Sequence, residues 1–123
     1  MSICHNKHYE REFVNMMNQK GHLCMRIAGS GAGTEAVCDT VLFANGKSHL
    51  VEVKATRGLV LYVRKHIREQ LNKLCTVATA NNLIPLLAVK FKHKGWKLFS
   101  INYDSNEKLS FLGGNKNECS TLL

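Results

Sequence analysis

Val51-Glu52-Val53-Lys54 is the stretch whose reading decides the fold. Side chains of a strand alternate between its two faces. Glu52 and Lys54 therefore share one face, and Val51 and Val53 the other. Upstream stands Asp39-Thr40-Val41-Leu42-Phe43, a second strand candidate with an acid at its head. Asn45-Gly46 lies between the two, and Asn-Gly is the strongest short-range signal for a two-residue hairpin turn. If those residues form the turn, Ala44 faces Lys47. Counting outwards then sets Asp39 directly opposite Glu52, with Cβ atoms about 4.5–5.5 Å apart. Like charges directly opposite one another destabilise a sheet. A cation between them removes the conflict, and a divalent metal held by carboxylate oxygens fits, with Lys54 two residues along the same face.

Bulk composition narrows the partners. The 123 residues suit a single domain, read here as 1–123 with a core at about 7–101 and a C-terminal tail at about 104–123. Apolar residues make up 45%, enough for a core, so disorder is not the expectation. Seventeen Lys and Arg against nine Asp and Glu leave a formal charge of +8, which favours a polyanion, nucleic acid above all. Five cysteines, odd in number and without C-x-x-C spacing, argue against a zinc ribbon or a disulfide framework and for reduced thiols. No apolar run approaches the roughly 20 residues that span a bilayer, and no signal-peptide core opens the chain. A cytoplasmic protein without membrane contact is expected.

The remaining chain supplies the frame. Residues 7–20 read as a helix with Tyr9, Phe13, Met16, Met17 and Lys20 at helical spacing, stopped by Gly21. Glu10 lies beside that stripe; taken alone, it is an acid favoured in a first helical turn. His22 to Ala28 is a short strand containing Arg26, whose plainest reading is an ion pair serving the core. Gly29 to Thr34 is a glycine-rich loop with two hydroxyls, Ser30 and Thr34. It leads into a strand and not a helix, which argues against a phosphate-binding P-loop or dinucleotide motif. Residues 36–44 and 48–56 form the hairpin, apolar on both faces, as in a sheet covered from both sides. Thr56-Arg57-Gly58 ends it and Leu59 to Val63 crosses over. Residues 64–80 read as a second helix with Ile67, Leu71, Leu74, Cys75 and Ala78 as its stripe and a basic first turn from Arg64 and Lys65. Such a run is ordinarily a solvated face, but it can also touch phosphates, as can Arg57. Pro85 opens the strand Leu86–Phe91, His93-Lys94-Gly95 turns, and Trp96–Ile101 returns, with Trp96 read as core packing and not a base-stacking platform. The tail is weakly patterned, and Leu109, Phe111 and Leu112 are left to pack on a partner or on nothing. The expected order is α-β-β-β-α-β-β, an α/β fold with a mixed sheet of about five strands flanked by helices.

Glu10, Asp39, Glu52 and Lys54 together read E…D-x(12)-E-x-K, which resembles the PD-(D/E)xK nuclease signature with Cys38 where proline often stands. Adding Glu10-Arg11-Glu12, Arg26-Ile27-Ala28-Gly29-Ser30, Leu61-Tyr62-Val63 and Leu87-Ala88-Val89-Lys90-Phe91, all in order, the chain is similar to the archaeal Holliday junction resolvases over roughly residues 8–101. The resemblance implies a restriction-endonuclease-like core and a homodimer that cuts four-way DNA junctions symmetrically with Mg²⁺, for which Mn²⁺ can substitute. It implies that Glu10, Asp39 and Glu52 hold the metal and that Lys54 orients or activates the attacking water or stabilises charge on the phosphate. It further implies that Ser30 assists near the scissile phosphate and that Arg11 and Arg26 contact DNA. The segment from Ser30 to Asp39, with Glu35 in it, is longer than in many relatives. Two alternatives remain open from the residues: a nuclease of this fold acting on flaps or duplex, and a DNA-binding module without hydrolysis. The acidic trio argues against the latter, since three carboxylates repel phosphate.

Overall fold

The computed structural model of the chain describes residues 6–27, 37–102, 108–115 and 117–123. Its elements are α1 (Asn6–Gln19), β1 (Leu23–Arg26), β2 (Thr40–Ala44), β3 (Lys47–Thr56), β4 (Val60–Tyr62), α2 (Lys65–Ala80), β5 (Ile84–Phe91), β6 (Gly95–Ser100) and β7 (Lys108–Ser110), with a closing 3₁₀ turn (Ser120–Leu122). Five strands make one mixed sheet in the order β1-β2-β3-β5-β6, and β4 and β7 form a separate two-stranded ribbon. The ends of the predicted strands at Ala28 and at residue 36, the glycine-rich loop and Glu35 lie outside the described residues.

Local chemistry sets most of these elements. Asn45 and Gly46 both take positive φ, 54° and 75°, as a tight turn matched to strand twist requires. That turn fixes the expected register, Ala44 against Lys47 through Thr40 against Val51. Gly21, at φ +90°, stops α1 where an L side chain would be strained. Lys20 falls in that turn and is exposed, so it does not belong to the apolar stripe as expected. The β3–β5 pairing is parallel, Glu52 beside Leu87 and Lys54 beside Val89, and β4 and α2 form the crossover it needs. As an interior strand of the sheet, β5 buries Leu86, Leu87, Ala88 and Val89 on both faces.

Two cores result, one on each face. On the α1 side Phe13 and Met17 pack on Cys24, Leu42, Val51, Val53, Leu86, Ala88 and Leu98. On the α2 side Leu71, Leu74 and Cys75 pack on Leu87, Val89, Phe91 and Phe99. Trp96 packs its ring on Phe13, centroids 5.4 Å apart, so its core reading holds. No helix of the described residues is long and apolar enough to cross a membrane.

Two expectations change. The crossover is not merely a connection: Leu61 pairs with Leu109 across the β4–β7 ribbon and both are buried. Nor does the tail await a partner. Phe111 packs against Phe91, while Leu112 alone of the three stays exposed. The Cys119 N–H donates to the Leu98 carbonyl and the Ser100 N–H to the Asn117 carbonyl, so the tail covers the free edge of β6. Covering an exposed edge removes a template for unwanted strand pairing. Both changes pair residues far apart in the chain through segments too short to show a period.

The edge cover is locked by one hydroxyl. Ser120 Oγ accepts the Leu98 N–H at 3.1 Å and donates to Glu118 Oε2 at 3.1 Å, and Glu118 also receives Lys97 Nζ at 2.8 Å. Ser120→Ala leaves the Leu98 N–H without its acceptor and is expected to cost about 1–2 kcal/mol. Urea unfolding at equilibrium checks this, with the exposed Thr121→Ala expected to change little.

Candidate active site

The centre is built where β2 gives out. The ladder ends at Thr40 opposite Val51, so Asp39 is not the ladder partner of Glu52 that simple counting expects. Asp39 reaches Glu52's surroundings by a different route. Its N–H donates to the Val51 carbonyl at 3.2 Å and its carbonyl accepts the Ile27 N–H at 2.9 Å. Its carboxylate Oδ2 accepts the Val53 N–H at 2.9 Å. A side-chain oxygen thus stands where a strand carbonyl would have been, and the short polar side chain is the kind that makes such local substitutions. The three bonds hold Asp39 at the mouth of the sheet, within hydrogen-bonding reach of Glu52.

On β3, Val51 and Val53 are fully buried towards α1. Glu52 and Lys54 take the opposite face, as alternation requires. Lys54 Nζ lies 3.3 Å from Glu52 Oε2. Glu52 is only 7% exposed. Burial, then the charge of Asp39, push its carboxyl up to about 7, against the pull of Lys54. Asp39 is also raised, chiefly by burial, with the Val53 hydrogen bond opposing and the charge of Glu10 adding to the rise. Beside the pair, Cys38 is pushed up to about 12, mainly by burial and further by the charges of Glu52 and Asp39. Its thiol donates to the Thr40 carbonyl at 3.4 Å and serves as packing.

Glu10 comes from α1, 3% exposed, and its charge is felt at Asp39. Its Oε1 is held by Arg26 Nε at 3.1 Å. Arg26 therefore has the ion pair that its place in a strand suggests. Among the described residues, no three of His, Cys, Asp and Glu stand close enough together to enclose a metal. The arrangement is a tight Asp39–Glu52 pair with Glu10 adjacent and turned to Arg26. Three carboxylates face two cations, Arg26 and Lys54, which leaves one excess negative charge when all are ionised. Oxygen donors with excess negative charge and raised carboxyl pKa values suit a hard divalent cation. Asp39 and Glu52 would hold it first, with Glu10 available once released from Arg26.

The other candidates are placed as follows. Arg11, Arg57, Arg64 and Lys65 are exposed. Arg64 is the N-cap of α2 and its guanidinium lies 5.6 Å from the centre of the Tyr62 ring. Ser30 lies outside the described residues. One network escaped the sequence reading. Glu12 Oε2 accepts from Lys90 Nζ at 2.7 Å and from Trp96 Nε1 at 2.6 Å. Burial pushes the Glu12 carboxyl up, but the Lys90 and Trp96 hydrogen bonds and the Lys90 charge outweigh it and hold it below its ordinary range. The only available signal was the repeated acid in Glu10-Arg11-Glu12, two residues apart and hence on different sides of the helix.

Comparison with known proteins bears on the family and the fold. A family model described as archaeal Holliday junction resolvase matches residues 2–117. A crossover junction endodeoxyribonuclease of Sulfolobus islandicus rod-shaped virus 1 is 30% identical over 111 residues, 88% of this chain and 92% of that one. The crossover junction endodeoxyribonuclease Hjc of Archaeoglobus fulgidus is 28% identical over 94 residues, 76% of this chain and 66% of that one. The solved structure of A. fulgidus Hjc, a Holliday junction resolvase, superposes with a TM-score of 0.65 at 27% identity, over 84% of this chain and 85% of that one. The five-stranded mixed sheet with its flanking helices is thus the restriction-endonuclease-like fold.

The buried pair makes stability depend on pH. Folding pushes the Glu52 carboxyl from its ordinary value of 4.5 up to about 7, chiefly through burial. Between those values the folded chain binds more protons than the unfolded one, so stability falls as pH rises through the window; Asp39, also raised, acts in the same sense. In chelator, Tm is expected to decline from about pH 4.5 to about pH 7. Glu52→Gln, which does not ionise, should flatten that decline and melt above the wild type beyond it. Thermal unfolding followed by circular dichroism across this range decides the point.

Proposed function

The chain belongs to the archaeal Holliday junction resolvase family, and on that footing we propose that it is a metal-dependent endodeoxyribonuclease that resolves four-way DNA junctions. The observation that carries this reading is the clamped Asp39–Glu52 pair with Lys54 beside it at the end of β2 and β3. As a binding surface that centre is self-defeating, because it repels phosphate. As a hydrolytic centre it is apt.

Asp39 and Glu52, with Glu10, would hold Mg²⁺, for which Mn²⁺ could substitute. Such a cation, when bound, supplies positive charge to the phosphoryl oxygens and lowers the pKa of a water. The chain's own groups do the rest. The Val53 N–H fixes one Asp39 oxygen and so fixes where the carboxylate presents its other lone pairs. Lys54, 3.3 Å from Glu52, keeps an ammonium beside the acidic pair, where it would orient the attacking water or offset the charge that grows on the phosphoryl oxygens. Glu52, 7% exposed and held beside Lys54, would present its carboxylate to the same cation as Asp39. Arg26 holds Glu10 in an ion pair and, with that pair opened, would be free to meet a backbone phosphate. Arg11, Arg57, Arg64 and Lys65 contact the phosphate backbone, which positions DNA without reading its sequence.

Cutting two strands symmetrically needs two such centres about a two-fold axis, so the working form is a homodimer of single-domain subunits on branched DNA. We place it in the cytoplasm. Its buried free thiols Cys24, Cys38 and Cys75 suit a reducing compartment.

The test uses purified protein with Mg²⁺ on a four-way junction, a flap and a linear duplex. Paired symmetric nicks confined to the junction are expected. Asp39→Asn and Glu52→Gln should each lower the cleavage rate at least about a hundred-fold, the scale on which a single preorganised electrostatic group acts. In chelator, Asp39→Asn should bind the junction at least as tightly as wild type, because a negative charge has gone. Cleavage of flap or duplex instead would move the substrate assignment. Binding without cutting on any DNA would overturn hydrolysis altogether.

A further inference from the structure

The β4–β7 ribbon presents a feature that the acidic centre does not use. Leu61 and Leu109, paired across it, are buried in the core beneath. Alternation therefore turns the next cross-strand pair, Tyr62 and Lys108, to the outside. Tyr62 is 54% exposed, a large share for an aromatic side chain. The Arg64 guanidinium sits 5.6 Å from its ring centroid, and the exposed Lys65 follows. The placement is rigid. Val63, between Tyr62 and Arg64, is buried, and the Arg64 N–H donates to the Tyr62 carbonyl at 3.1 Å. Among the described residues, neither Arg64 nor Lys108 forms an ion pair.

A half-exposed aromatic ring held among cations matches the chemistry of an unstacked nucleobase with its flanking phosphates. The ribbon also leaves the strand of the acidic centre directly: Thr56 Oγ1, two residues past Lys54, donates to the Val60 carbonyl at 3.3 Å. We propose that Tyr62 is a stacking platform for a base at the branch point of the DNA, with Arg64 and Lys108 holding the phosphates on either side. This rests on the reading of the chain as a junction nuclease and adds a device for telling branched from continuous DNA. A continuous duplex has each base pair stacked on both faces and offers Tyr62 nothing. A branch point exposes the face of a terminal base pair. The cations alone would bind both DNAs, so the preference resides in the ring.

The experiment places 2-aminopurine at the branch point of a four-way junction and uses an unbranched duplex of equal length. Binding and fluorescence are followed in chelator, where no cutting occurs. Wild type is expected to change the 2-aminopurine emission and to prefer the junction. Tyr62→Ala should lose roughly 5- to 100-fold in junction affinity, as truncating a base-stacking aromatic does, with duplex affinity unchanged and the emission change abolished. Tyr62→Phe, which keeps the ring, should restore both, and all three proteins should melt alike. An unaltered junction-to-duplex ratio and emission change in Tyr62→Ala would overturn the proposal. So would equal losses on both DNAs, or a change in oligomeric state by sedimentation, which would assign Tyr62 to contact with a second copy. Because the readout needs no cleavage, failure of wild type to cut any DNA under Mg²⁺ would sink the nuclease reading separately.

Discussion

The hydrogen bond from the Val53 N–H to the Asp39 carboxylate is the constraint on which the centre depends. It occurs because β2 stops at Thr40, one residue short of where the hairpin register would seat Asp39. The strand's next amide then meets a side-chain oxygen in place of a carbonyl. This pulls an acid into contact with Glu52, on a surface that is already dry. Two carboxyls held that way cannot both ionise comfortably, and Glu52 yields first. Lys54 relieves only part of the strain. The fold therefore stores an electrostatic demand that a multiply charged cation would meet.

The same logic of held charges organises the first helix. Glu10 and Glu12 are two residues apart and so leave α1 in different directions. Glu10 goes to Arg26 beside the acidic pair, and Glu12 to Lys90 and Trp96 on the other side. Phe13, between sheet and helix, packs on the same Trp96 ring. Rotation of α1 that would swing Glu10 away must break contacts at Glu12 and Phe13 together. Glu12 is thus a positioning residue for the helix that carries Glu10.

Most of the fold was legible wherever its causes are local. Asn45-Gly46 dictates a turn, the turn dictates the hairpin register as far as Thr40 against Val51, and the Val53 N–H then draws the Asp39 carboxylate to Glu52. The helical stripes around Phe13 and Leu71 are likewise short-range patterns. The illegible parts share a different cause. The β4–β7 ribbon and the tail's cover over β6 join segments of three residues or so that lie far apart in the chain, and such short runs carry no period. The Arg26–Glu10 pair was half visible, because an arginine in a strand calls for an acid without naming which. The Glu12 network was invisible for the converse reason: an exposed-looking acid near a helix start has many unremarkable uses.

The carboxylates and Lys54 all reside in the contiguous run α1-β1-β2-β3, within which the β2–β3 hairpin that carries Glu52 and Lys54 closes over the two residues Asn45 and Gly46. The parallel β3–β5 pairing closes a much longer loop, because β4 and α2 intervene. Short loops close first. During folding the acidic hairpin is therefore expected to exist for a time in water, ionised, before β5 and α2 arrive to shut the solvent out. Burial is the larger cause of the Glu52 rise and the charge of Asp39 the next, so proton uptake is expected to belong mainly to that docking event and in lesser part to hairpin closure. Acid is accordingly expected to assist the late stage of the folding reaction more than the early one.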